Sequence, residues 1–363
     1  MSGPAALQVW AGPRARAVLR ARGLQPGDVR IVPAAAGGAK GLVLNPLDRY
    51  LFSDWLPRGA QTAHHPIHLL GASIGAWRMA SGCLDDPDAA LRRLAEDYIT
   101  QSYPHAPGKP PAPAVVSSIF GATLGEHFAG RTDEVLGHPR YRLHVFTSHG
   151  RHLLARQGRW RTPLGYAGAF FGNAVHRRAL GGWLERVVFG DPRDPLPLPL
   201  AGLRSQQAPL TAGNLQPAIL ASCSIPFWLD AVHDIPGGPP GAYWDGGITD
   251  YHLHLPYAAM DQGIALYPHF QPQIVPGWLD KPWRRRHRTT PMLDNLVVLA
   301  PHPAWVRGLP NAKLPDRNDF KVYGDDQAGR QRDWRRAVAE SKRLAEDFAR
   351  LVTGDTVDAL PLP

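Results

Sequence analysis

The chain has 363 residues, 44% of them hydrophobic and 11 of them tryptophan, enough to bury a large core, which excludes a disordered or low-complexity protein. Lysine and arginine number 40 against 31 acidic residues, a net charge of +9 that favours anionic partners such as a membrane surface or acidic lipids, with no more than non-specific attraction for nucleic acid. Only Cys83 and Cys223 are present, without a C-x-x-C spacing, so neither a disulfide framework nor a cysteine metal site is expected. No stretch approaches the roughly 18 apolar residues of a membrane span, and residues 1–32 carry no secretory apolar region, so the expectation is a soluble, cytoplasmic protein.

In chain order, residues 13–22 predict a short helix ended by Gly23, and Val29 to Val32 a strand. The strand runs into the glycine loop Gly37-Gly38-Ala39-Lys40-Gly41, whose backbone can approach a ligand closely. The phosphate-loop and dinucleotide glycine patterns are both absent there. Residues 45–56 carry leucine and tryptophan at helical spacing. Residues 65–70 read as a strand, followed by Gly71-Ala72-Ser73-Ile74-Gly75 and a helical stretch. Asp86-Pro87 opens a second helix, an acidic cap followed by proline at the first turn. Residues 104–113 are a proline-rich loop, 115–128 a helix, and 141–146 a strand of period two. Residues 150–210 are basic and rich in Gly-Gly and Pro-Leu, which suggests an inserted or covering segment. A helix over 215–222 is broken at Ser224-Ile225-Pro226. An aromatic strand then leads into Asp245-Gly246-Gly247, and apolar strands are expected over 263–267 and 293–300. The densest basic cluster is 281–288, and residues 331–352 predict one long amphipathic helix.

The pentapeptide around Ser73 is the most informative stretch. Strand, sharp turn and helix are the setting in which G-x-S-x-G exposes a serine hydroxyl, because the turn is strained and flanking side chains would collide. Ester cleavage by such a serine also requires a proton acceptor and donors where negative charge develops. Asp245, beside two glycines and buried by its aromatic flank, is the candidate acceptor; the loop amides of Gly37, Gly38 and Ala39 are the candidate donors.

Four separated pieces in this order, namely the 37–41 loop, the Ser73 elbow, Ala221-Ser222-Cys223-Ser224-Ile225-Pro226 and Asp245-Gly246-Gly247, resemble the patatin-like phospholipases. The resemblance covers roughly residues 29 to 300. It implies an α/β fold of three layers, α/β/α, with a central mostly parallel sheet, in a single catalytic domain over 1–363. It implies a serine acyl hydrolase that cleaves carboxylic esters of lipids, phospholipase A or lysophospholipase in type, without cofactor or metal. Ser73 and Asp245 would form a catalytic dyad passing through an acyl-enzyme, with Gly37, Gly38 and Ala39 as the oxyanion hole. Ala36 stands where the family has its first loop glycine, and Ile74 is bulkier than usual and is expected to narrow the pocket.

Two other readings compete. An α/β-hydrolase triad could use Ser73, Asp245 and His302 in that chain order. A non-catalytic lipid-binding protein could share the fold. His64, His65 and His68 lie too close along an extended segment to converge on a metal. Arg78 suits an internal salt bridge better than a substrate headgroup. The expected partners are an acyl lipid or ester and, peripherally, an anionic membrane surface, with no specific nucleic acid.

Overall fold

The computed structural model describes residues 5–105 and 110–363; the first four residues and residues 106–109 of the proline-rich loop lie outside the described residues. Among the described residues eleven strands make one sheet. They are β1 (Leu7–Ala11), β2 (Val29–Ala34), β3 (Ile67–Ala72), β4 (Tyr141–Gly150), β5 (Leu184–Gly190), β6 (Ser205–Pro209), β7 (Val232–His233), β8 (Ala242–Trp244), β9 (Ile264–Pro268), β10 (Leu296–Pro301) and β11 (Leu360–Pro361). The order across the sheet is β11-β1-β10-β9-β2-β3-β4-β5-β6, with β8 joined to β4 and β7 to β8. The central run β10-β9-β2-β3-β4 is parallel throughout. Antiparallel pairs lie outside it, β1 on β10, β5 on β4 and β8 on the end of β4. The protein is therefore α/β with a mostly parallel mixed sheet flanked by helices.

The central strands are buried on both faces, and β10, Leu-Val-Val-Leu-Ala-Pro, is an apolar run throughout. Paired Val32 and Leu69 turn into one apolar cluster, while their neighbours Ile31 and Leu70 turn into another, as the period of two requires. The first cluster is capped by helices α1 (Pro13–Arg22), α2 (Ile74–Gly82), α3 (Pro87–Thr100), α4 (Pro113–Phe128) and α6 (Leu215–Cys223); α5 (Arg161–Val175) lies between α4 and α6 in sequence and packs elsewhere. The second cluster takes in Tyr251, Leu253, Phe270 and Val275. From β2 the chain proceeds through β3 to β4 on one side, whereas β9 and β10 lie on the other. The strand order thus reverses beside β2, and the carboxyl ends of β2 and β3 flank the crevice where open α/β sheets bind ligands.

The elements differ from the sequence expectation at several places. Residues 331–352 form two helices, α7 (Gln327–Glu340) and α8 (Lys342–Leu351), because the Ser341 hydroxyl donates to the Val338 carbonyl at 2.8 Å and competes with the helical ladder. The helix from Asn45 passes through a π turn over Leu51–Trp55. Residues 150–210 contain α5, β5 and β6, so this stretch extends the sheet beyond β4. No helix among the described residues is long and apolar enough to cross a membrane.

Candidate active site

β3 ends at Ala72 and α2 begins at Ile74, which leaves Ser73 alone to turn the chain, at φ 56° and ψ −131°. A non-glycine residue in this region carries strain of about 1–3 kcal/mol, so the surroundings must hold it there. They do so by close contact. A methyl group on Gly75 would stand 2.0 Å from the Ala34 carbonyl oxygen, and one on Gly71 would stand 2.3 Å from the Ala76 Cα. Glycine at both positions is therefore a steric demand of the turn. The Ser73 amide donates to the Ser222 hydroxyl at 2.8 Å, and that hydroxyl donates to the Phe146 carbonyl at 2.6 Å.

The Ser73 hydroxyl donates to Asp245 Oδ2 at 2.7 Å, and both residues are buried. β8 delivers Asp245, and its other carboxylate oxygen accepts the Gly247 amide at 2.7 Å. Its backbone is pinned on two sides: its amide donates to the Ser224 carbonyl at 2.9 Å, and its carbonyl accepts the Ser148 hydroxyl at 2.8 Å. Gly246 donates to the Ser222 carbonyl, and a methyl group there would meet the Phe146 oxygen at 2.0 Å. The short stretch Ser222–Ser224 at the end of α6 thus ties the serine turn and the aspartate loop to one another. Burial pushes the Asp245 carboxyl above the ordinary carboxylate range, while the Ser73 bond and the charge of Arg317 pull the other way.

A cavity of about 250 Å³ opens over the pair. Ala36 and Gly37 from the loop after β2 form one wall, and Gly37 packs so closely on Phe270 that a methyl group would come within 2.4 Å of the ring. Gly38, with φ 56°, and Ala39 are buried behind Gly37 at the start of a 3-10 turn and do not line the cavity. Ile225, Pro226, Ile248 and Trp278 supply an apolar wall. Lys40, Lys281 and Arg317 stand at the cavity together, and among the described residues none of the three has a carboxylate within salt-bridge distance. Lys40 lies 5.2 Å from the Phe270 ring centre and Lys281 lies 4.1 Å from that of Tyr251. Burial, reinforced by Lys40 and Arg317, lowers the Lys281 ammonium to about 8.

Sequence reasoning gave no role to Lys281 or Arg317 at this cavity, because each comes from an irregular loop far along the chain. Ser222 belonged to a quoted motif, but its double hydrogen bond has no signature of its own. Ile74 turns away from the cavity against Gly41, so it does not narrow the pocket. Arg78 is buried, with Nε and Nη2 donating to the two Asp48 oxygens at 2.7 and 2.8 Å, and is spent within the fold. His302 is not brought to the pair. Its Nδ1 accepts the Ala304 amide at 3.0 Å, and it does not line the cavity. His65 bonds the Pro66 and Gly27 carbonyls while His68 pairs with His144, so these two histidines face separate partners.

A family model described as patatin-like phospholipase matches residues 35–253, a span that opens at the glycine loop and closes eight residues beyond Asp245. No curated protein matches the chain. Lys281 and Arg317 lie outside the matched span.

Proposed function

The chain belongs to the patatin-like phospholipase family, and from that premise we propose that it hydrolyses carboxylic esters of acyl lipids through a Ser73–Asp245 dyad. The observation that carries this reading is the 2.7 Å bond from the Ser73 hydroxyl, held at a strained turn, to the buried Asp245 carboxylate. In the first half-reaction Ser73 Oγ attacks the ester carbonyl and its proton passes to Asp245 Oδ2. The proton then goes to the leaving alcohol as the C–O bond breaks, leaving an acyl-enzyme. In the second, Asp245 takes a proton from water, the hydroxide attacks the acyl carbon, and Ser73 leaves with that proton. The Gly37 amide, at the cavity wall, would meet the negative charge on the carbonyl oxygen, such a donor lowering the barrier by about 3 kcal/mol, whereas Gly38 and Ala39 lie behind it. Elevation of the Asp245 carboxyl by burial suits this work, since an ordinary carboxylate is a weak base.

A fluorophosphonate tests this reading directly. The adduct is expected on the peptide that contains Ser73; an adduct elsewhere, or none on the folded protein, overturns it and favours a non-catalytic lipid-binding role.

The three cations around the mouth favour esters that carry an anionic group beside the scissile bond over neutral glycerides. For matched monoacylglycerol and monoacylglycerol phosphate, kcat/KM should be higher for the phosphate, and Lys281→Met should narrow that ratio about tenfold, ~1.4 kcal/mol for one charge-assisted contact. Because the Lys281 ammonium titrates near 8, KM for the phosphate substrate should rise as pH passes through that value. A ratio unmoved by Lys281→Met would assign the headgroup contact elsewhere.

A further inference from the structure

Helix α5 carries an apolar stripe that nothing in the described chain covers. Trp160 immediately before it, then Leu164, Phe171 and Val175, are 70, 59, 68 and 86% exposed. Their spacing of four, seven and four residues puts them on one side of the helix. The opposite side is spent in the fold: Gly165, Tyr166, Ala169 and Asn173 are buried, and the Tyr166 ring packs edge-on against Trp244 and Phe227. Exposed large apolar residues on a soluble protein are normally scattered singly, so a helix-long stripe calls for an occupant.

The stripe continues to the cavity. Phe227 and Trp228, 56 and 41% exposed, directly follow Ile225 and Pro226 of the cavity wall, and Trp278 is both wall and surface. The charge around it is mostly positive, Asp230, which accepts from Gln157 at 2.6 Å, being an exception. Residues 151–184 contain six arginines and no aspartate or glutamate. Arg156, Arg159, Arg161 and Arg178 are exposed, and none makes an ion pair among the described residues. The basic stretch 284–288 adjoins the same helix, because Trp283 stacks on Phe170 of α5 at 6.3 Å.

We propose that this face is the surface by which the protein docks on an anionic lipid bilayer, with α5 lying in the plane of the interface and the cavity mouth turned to the membrane. Trp160, Leu164, Phe171 and Val175 enter the boundary between headgroups and acyl chains, where tryptophan is favoured. The surrounding arginines meet lipid phosphates, an attraction that salt screens. A second copy of the chain would bring one arginine-rich face against another, and a neutral apolar partner would leave those arginines unanswered. The proposal rests on the lipid-hydrolase reading above and names the surface through which the same site reaches its substrate.

The test is co-sedimentation of the full chain with vesicles of phosphatidylcholine alone or with about 30% phosphatidylglycerol. Binding is expected to rise at least tenfold with the anionic lipid and to fall as salt is raised. Phe171→Asp with Val175→Asp, and separately Arg159→Glu with Arg161→Glu, should each lower binding about tenfold or more. Leu360→Asp, on β11 at the far edge of the sheet from β5 and β6, should not. Hydrolysis of a water-soluble short-chain ester and labelling of Ser73, measured on the same preparations, separate the two ideas. Docking variants that lose vesicle binding but keep both signals support the surface. A wild-type protein that is labelled at Ser73 yet binds both vesicles equally overturns the docking surface and leaves the dyad standing. Absence of labelling overturns the dyad, whatever the vesicles show. A wild-type dimer that Phe171→Asp with Val175→Asp turns into a monomer, without vesicle binding by either, assigns the stripe to self-association and overturns the proposal.

Discussion

Asp245→Asn is expected to lower kcat for a lipid ester by about 10⁴-fold or more while the protein stays folded. The substitution is close to isosteric. An asparagine carbonyl can still accept the Gly247 amide, and the backbone bonds to Ser224 and Ser148 do not involve the side chain. What is lost is the acceptor for the Ser73 proton, and with it both half-reactions, so the loss should approach that of Ser73→Ala. Members of one catalytic unit are strongly non-additive, and the double variant should be little worse than either single one. His302→Ala makes the complementary prediction. It removes a side chain that caps a four-residue helix at Ala304, a contribution of about 1 kcal/mol to stability, and should leave most of the rate. A folded His302→Ala protein as inactive as Ser73→Ala would mean that a histidine triad operates. The pH profile gives a further reading. The base must be unprotonated, and burial raises its carboxyl, so kcat/KM should climb to a plateau through an inflection above the ordinary aspartate range.

The parts of this site that could be read from the sequence are those that sterics write into residue types. A strained turn between strand and helix needs glycine two residues on either side, and a loop pressed on Phe270 needs glycine at 37, so these positions show themselves as patterns. The parallel central strands were legible for related reasons, β10 as a continuous apolar run and the start of β4 by its alternation of period two. What escaped is whatever depends on distant pieces meeting. Lys281 and Arg317 lie in loops with no periodicity, and only the fold brings them to Lys40. β1 is five residues beside a more conspicuous helix, and it becomes a strand by pairing with β10, nearly 300 residues later. β5 and β6 lie within a proline- and glycine-rich stretch whose composition suggests coverage, yet pairing to β4 outweighs it. The break at Ser341 follows from one hydroxyl bonded to a carbonyl, a choice that helical spacing does not reveal.

Stability should fall steeply as pH drops from 7 toward 5, before most carboxylates protonate. Two pairs of histidines are buried in or beside the sheet. His68 Nδ1 and His144 Nε2 are 2.9 Å apart with their rings stacked, and the His252 and His269 rings meet edge-on at 4.3 Å. Burial lowers all four, His68 to about 4, His269 to about 3, and His144 and His252 well below 6.5; within each pair, one proton further opposes the second. In the unfolded chain these rings titrate near 6.5. Between that pH and the lowered folded values the unfolded state binds more protons, so acid draws the equilibrium toward unfolding. Each group contributes a slope of about 1.4 kcal/mol per pH unit, and two acting fully would remove roughly 3 kcal/mol per unit, a large share of the stability of an ordinary domain. The second pair also supports the site, because His269 stacks on Phe270, which in turn packs on Gly37. Urea midpoints at several pH values between 7.5 and 5 would measure the slope. Replacing His68 and His144 together by leucine should flatten it, since the partnered polar groups are removed as a pair and neither is left stranded. A midpoint unchanged between pH 7 and 5 would mean that these histidines gain protons in the folded protein without difficulty. The same experiment separates two causes of acid inactivation, because protonation of Asp245 lowers the rate of a folded enzyme, whereas charging the histidine pairs removes the fold that holds Gly37 against its support.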